Sequence, residues 1–259
     1  MKGYDFIVAK QVAWANRAGV ALVGSKGNGG RPTYTRQLNE NLLQPLLPEV
    51  EQSFAAGDGD ELGSSERPGK MQAVHSSSAL VVNVFHYWIR SKAVPIIAEM
   101  CGFCRSGSTA PCDIQFEEKY EICSRFHRDP NIDVVIHNTS GARIKKLAIE
   151  CKFSEAYSRR QHSGLSPAYM ELEDIWQDIP NLRCFAESIS PTDTTFRHLH
   201  PAQLIKHILG LKRHCGRSGF KLLYLWYDVF GEEVFHHHCE VERFSEVAKN
   251  DGIQFHAMT

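Results

Sequence analysis

Two apolar runs of the sequence carry charge in their interiors. "NIDVVIH" holds Asp133, and "KLAIECKF" holds Glu150 and Lys152 with one residue between them, on either side of the polar turn "NTSGARIK". Side chains two apart on a strand share a face. Glu150 and Lys152 are therefore expected to point the same way as Ala148, with Ile149, Cys151 and Phe153 opposite. A hairpin turning near Ser140 and Gly141 brings Asp133 opposite positions 148 to 150. Two carboxylates about 4 Å apart repel by about 4 kcal/mol at an effective dielectric of about 20. The arrangement calls for positive charge between them. Lys152 supplies one such charge, and a divalent cation is the natural second. Hard carboxylate oxygens suit Mg²⁺ or Mn²⁺, with the backbone carbonyl of Cys151 as a further ligand. Such an ion acidifies a water and neutralises a phosphate oxygen, while the lysine orients that water or stabilises charge developing on phosphorus. This is the chemistry of phosphodiester hydrolysis. The alternative, a solvated ion-pair cluster on a sheet face, needs no apolar setting.

The Asp on one hairpin strand and the acid-x-Lys on the next resemble the pattern of the PD-(D/E)XK nuclease superfamily, with Asp133, Glu150 and Lys152 in the three places. "NID" departs from the literal Pro-Asp, and "DP" just upstream offers Asp129 as a second candidate for the first acid. Across residues 55 to 259, "HSSSALVVNVFHYW", "IECKF", "AQLIKHILGL" and "LLYLWYDV" are similar to one branch of bacterial restriction endonucleases. The resemblance implies an α/β restriction-endonuclease-like core, a mixed central β-sheet flanked by helices, acting as a Mg²⁺- or Mn²⁺-dependent endonuclease on DNA. It also implies cutting of both strands as a homodimer. A rival triplet, Glu117-x-Lys119, lacks an acid-bearing apolar strand ahead of it and is set aside. On this reading Lys152→Ala abolishes cleavage and leaves the fold intact. A nucleic-acid-binding module that keeps the fold without turnover is the alternative.

The elements that must position these residues are legible in outline. Residues 1–70 read as a helical and loop extension packed on the core, with "VGSKGNGGRPTYTR" as a flexible loop, and 71–259 as the core itself. "SSSALVVNVFHYWIRSKAVPIIAEM" reads as helix with serines for N-caps. "DIQFEEKYEI" alternates as a strand, with Ile114, Phe116, Glu118, Tyr120 and Ile122 on one face and Glu117, Lys119 and Glu121 on the other. "HPAQLIKHILGLKRHCGRSG" is a helix that starts at Pro201, stripes Leu204, Ile208 and Leu211 along one side, and stops at Gly216. "FKLLYLWYDVF" is a continuous apolar strand buried on both faces. "EEVFHHHCEVERFSEVAK" and "GIQFHAM" come after it as a helix and a last strand.

Several other residues bear on the site. Glu118, alone on an apolar strand face, is either a third metal ligand or an edge carboxylate turned to solvent. Gln203 and His207 stand one turn apart on the polar edge of their helix. The family resemblance gives Gln203 the part of steadying the site, and matches His75 to a position that the branch marks. "HHHC" at 236 to 239 sits on a helix, where adjacent histidines face different ways and cannot share an ion.

Net charge is −1, so a polyanion surface must come from segregation of charge. From Thr194 to Tyr227 there is no acid, while Lys206, Lys212 and Arg213 stand among the cations there, and Lys145, Lys146, Arg159 and Arg160 flank the hairpin. These are the candidate phosphate contacts, which position nucleic acid without reading its bases. No apolar run approaches the roughly 18 residues of a membrane span, and the first residues lack a secretory apolar core, so a cytoplasmic protein is expected. The eight cysteines are then expected as thiols. Cys101 and Cys104 in "CGFC", with Cys112 and Cys123, form the one zinc-like grouping, and its second pair lacks knuckle spacing.

Overall fold

A computed structural model of the chain describes all residues except 25–30, 58, 65, 66, 159 and 160. Residues 25–30 of the glycine-rich stretch expected as a flexible loop thus lie outside the described residues, as do Arg159 and Arg160, while its end is held by the bridges Leu22–Thr35 and Tyr34–Ala73, with Thr35 buried.

Helix α1 (Gly3–Arg17) opens the chain, and α2 (Pro48–Ala56) comes after a 3₁₀ turn at Leu38–Asn41. Helix α3 (Ser77–Arg90) begins where the Ser76 hydroxyl accepts the Ala79 N–H at 3.3 Å, and α4 (Val94–Met100) starts with a proline in its first turn. Three antiparallel strands come next: β1 (Pro111–Lys119), β2 (Asn131–Asn138) and β3 (Lys146–Lys152). The chain then crosses through a 3₁₀ turn at Glu155–Tyr157, α5 (Pro167–Met170), α6 (Pro180–Ser188) and α7 (Pro201–Cys215). It returns as β4 (Phe220–Trp226), parallel to β3. Helix α8 (Glu232–Asn250) connects β4 to β5 (Phe255–Met258), which pairs parallel on the far side. Strand order in this mixed five-stranded sheet is β1-β2-β3-β4-β5.

Helices cover both faces, as a sheet with parallel strands requires. On one side α2, α3 and α4 pack Val50, Phe54, Val82, Phe85 and Ile97 against Phe116, Val134, Ile136, Leu147 and Ile149. On the other, α6, α7 and α8 pack Leu182, Leu204, Ile208 and Phe244 against Val135, Ala148, Leu222 and Tyr224. The boundaries expected for α7 hold, with Pro201 in its first turn and Gly216 at φ 74 ending it, a left-handed angle that favours glycine.

The expected alternation of β1 fails at one point. Ile114 and Phe116 enter the α2–α4 core, but Tyr120 and Ile122, past the end of the strand, enter the opposite one. Glu117 lies between with φ 53, and this left-handed residue reverses the parity of the residues after it.

Candidate active site

β2 and β3 stay in register from His137–Lys146 to Val134–Ile149, and there their backbone ladder ends. β2 continues against β1 to Asn131, while β3 continues against β4 to Lys152. The two central strands thus part at the end that carries Asp133 and Glu150. Across the opening, Asp133 Oδ2 accepts the backbone N–H of Cys151 at 2.7 Å, a side chain standing where a strand carbonyl would be. Glu150 is fully buried, and each of its oxygens has a partner. Lys152 Nζ donates to Oε1, and His207 Nε2 of α7 lies 2.8 Å from Oε2.

The electrostatics are unequal. Burial disfavours charge on Glu150, yet Lys152 and His207 hold its carboxyl at about 2. Burial drives Asp133 well above the usual carboxylate range; neighbouring Glu150 and Glu117 add to this, against Lys152 and the Cys151 N–H. Burial opposes the charge of Lys152, but Glu150 and Asp133 outweigh it and raise the ammonium above the ordinary lysine. Glu117 joins the group from β1. Phe116–Val134 and Glu118–Ile132 are paired, which sets Glu117 beside Asp133 in the register. Burial, with Glu61 and Glu150 adding, pushes its carboxyl up to about 7, and Asn131 Nδ2 donates to it at 3.1 Å.

One acid is therefore neutralised by one lysine, and two more lack a counter-charge. Hard oxygen donors short of positive charge suit Mg²⁺ or Mn²⁺. Among the described residues, no three His, Cys, Asp or Glu side chains are gathered to enclose an ion. The donor set fits Mg²⁺ in particular, which takes one or two carboxylates and keeps several waters.

Lys152 looks into a cleft of about 1140 Å³, lined also by His75, Ser76, His162, His200 and Gln203. His75 bridges Thr33 Oγ1 at 3.2 Å and Ser154 Oγ at 3.1 Å, tying the first segment of the chain to the end of β3. Gln203 lines the cleft without bonding to the acids; one turn on, His207 makes that bond. The expectation that set His207 on a polar edge is corrected: it is 1% exposed. Its spacing from Leu204, Ile208 and Leu211 already places it inside the apolar stripe. Glu117 left no such signal, because nothing in "QFEEKY" announces a left-handed glutamate.

Glu118 is not brought to the acids. The reversal at Glu117 turns it to His137 Nε2 at 2.6 Å and Lys146 Nζ at 3.2 Å, so the third carboxylate near the pair is Glu117. Most of the expected phosphate contacts are also committed elsewhere. Lys146 serves Glu118, Lys206 lies over the Tyr169 ring, and Lys212 donates to the Ile175 carbonyl. Arg213 donates to the Ile122 carbonyl and pairs with Glu121. None of these, nor Lys145, lines the cleft, whose lysines and arginines among the described residues are, besides Lys152, Lys2, Arg31, Arg67 and Lys70. Asp129 is likewise absent from the lining of the cleft, as are Asp133, Glu150 and Glu117, and among the described residues it makes no bond to the acids, whereas Asp133 bonds to the Cys151 amide. Cys101 is buried, and burial pushes its thiol up to about 12, with Cys104 adding.

A family model described as Restriction Endonuclease associating with ARP matches residues 8–246. No curated protein and no solved structure matches the chain. Among the described residues no helix is long and apolar enough to cross a membrane.

Proposed function

Since this chain belongs to the family of restriction endonucleases described as associating with ARP, we propose that it is a Mg²⁺-dependent endonuclease that hydrolyses DNA phosphodiester bonds. Asp133 and Glu150 would hold Mg²⁺ or Mn²⁺, with the Cys151 carbonyl as a further donor and Glu117 beside them. When bound, the ion supplies an acidified water and a positive charge for a phosphate oxygen.

The chain's own residues do the rest. Lys152 is anchored on Glu150, and its side chain is 18% exposed, enough to reach the cleft. Its ammonium donates to an incoming water or to a non-bridging phosphate oxygen, where charge grows in the transition state. Asp133, bonded to the strand opposite, keeps its carboxylate at the opening. Gln203 and His75 line the cleft in which the scissile bond would lie. DNA is the partner in this reading, with its backbone along the cleft that Arg31 and Lys70 border. The family's association with ARP and a homodimer that meets both strands extend the same proposal.

The observation that supports this reading most is the meeting of Asp133, Glu150 and Lys152 where β2 and β3 separate. The test is incubation of purified protein with supercoiled, linear and single-stranded DNA under Mg²⁺, Mn²⁺ or EDTA. Cleavage that needs the metal and disappears in Asp133→Asn and Glu150→Gln is expected. Cutting in EDTA, or full activity in Asp133→Asn, would overturn the assignment. DNA binding with no cutting under either metal would favour the silent module.

A further inference from the structure

We propose that His207 is a positioning residue that fixes the Glu150 carboxylate for cation binding; this rests on the nuclease reading above.

The sequence makes His207 conspicuous. An imidazole in an apolar helix stripe costs free energy unless it is hydrogen-bonded, and α7 buries it against the sheet at 1% exposure. Its polar contact is with Glu150 Oε2, at 2.8 Å. A carboxylate only accepts, so Nε2–H is the donor. Nδ1 finds no protein partner among the described residues. Among the described residues the one hydrogen bond of this ring is therefore the one from Nε2 to Glu150.

The two partners of Glu150 differ in what they fix. Lys152 lies two residues on in the same strand and moves with it. His207 comes from a helix 57 residues away and ties the carboxylate to another layer. The approach of that layer is built in. At Gly210, one turn after His207, an added Cβ would lie 2.7 Å from the Tyr120 carbonyl oxygen, so only glycine permits this seating. With both oxygens held from two directions, the remaining lone pair on each is presented in a fixed orientation. Partners of this kind, which orient a ligand without touching the ion, typically change metal affinity or activity by about 10–100-fold when lost.

The test follows Mn²⁺ binding by the electron-paramagnetic signal of the free ion, alongside kcat and KM for DNA cleavage. His207→Leu should weaken Mn²⁺ binding and lower kcat by about 10–100-fold, with KM for DNA unchanged. His207→Gln, which keeps a side-chain N–H donor, should recover most of both. Should His207→Leu fail to fold, His207→Asn, whose amide stops short of Glu150, takes its place. A Leu variant that binds Mn²⁺ as the wild type does would overturn the inference. So would a folded Gln variant as impaired as Leu. A wild type that never cleaves DNA defeats the nuclease reading, whereas an active wild type with an unaffected Leu variant defeats only the role given to His207.

Discussion

Replacing Lys152 by methionine keeps most of the aliphatic stem and removes only the ammonium. The partner left behind is Glu150, whose side chain is 1% exposed against 18% for Lys152, so the orphaned charge is the buried one. Deleting one member of a buried pair costs about 3–5 kcal/mol, because the other charge stays desolvated. The carboxyl itself gives a similar figure. It is held at about 2 against an ordinary 4.5, a gap equivalent to about 3 kcal/mol. Because the folded value is depressed, this stability is present above pH 4.5 and is lost as pH falls toward 2. His207 retains part of it in the variant. Lys152→Met should therefore lose about 3 kcal/mol at pH 7 while still folding, and cleavage should fall by at least about 10²-fold. Urea unfolding in EDTA reads the first quantity as a lower midpoint at constant slope. The double variant Lys152→Met/Glu150→Gln should regain most of the loss, since a neutral amide needs no ammonium. A single variant as stable as the wild type, or a double variant no better than the single, would refute the buried-pair account.

Two further outcomes concern pH and are measured on metal-free protein. Glu117, raised to about 7 from 4.5, makes the fold less stable as pH rises through that window. Glu117→Gln should therefore stabilise by about 1–3 kcal/mol at pH 8 and by almost nothing at pH 4.5; an equal gain at both would refute the cause given. His237 is buried against Tyr224, and burial, with His198 and His238 adding, holds its ring at about 3 instead of 6.5. Stability is then lost as pH falls below 6.5, by about 1.4 kcal/mol per pH unit. His237→Gln should flatten the stability curve between pH 7 and 5 by about 2 kcal/mol, and parallel curves would exclude His237 as the source.

The parts of this molecule that local pattern governs could be read from the chain. Pro201 and Gly216 bracket α7, and the apolar run from Phe220 to Trp226 forms the doubly covered strand. The hairpin count put Asp133 opposite positions 148 to 150, and the structure brings its carboxylate to the Cys151 amide. What escaped were single backbone events and contacts between distant elements. A left-handed angle at Glu117 exchanges the surroundings of two adjacent glutamates, and no periodicity encodes that. The partnership of Glu150 with His207 spans 57 residues and two layers, so the expectation of a polar edge for His207 missed both its burial and its partner. The cations of α7 were expected to meet phosphate, but Lys212 reaches the Ile175 carbonyl in the crossover and Arg213 the Ile122 carbonyl in the β1–β2 connection, contacts that only the tertiary fold brings together.

The bond from the Cys151 amide to Asp133 makes the last rung between β2 and β3 a titratable one. A carbonyl in that place could not be protonated or recruited by an ion, whereas a carboxylate can be both. A ligand that drew Oδ2 off that amide would free the last rung of the seam between two core strands.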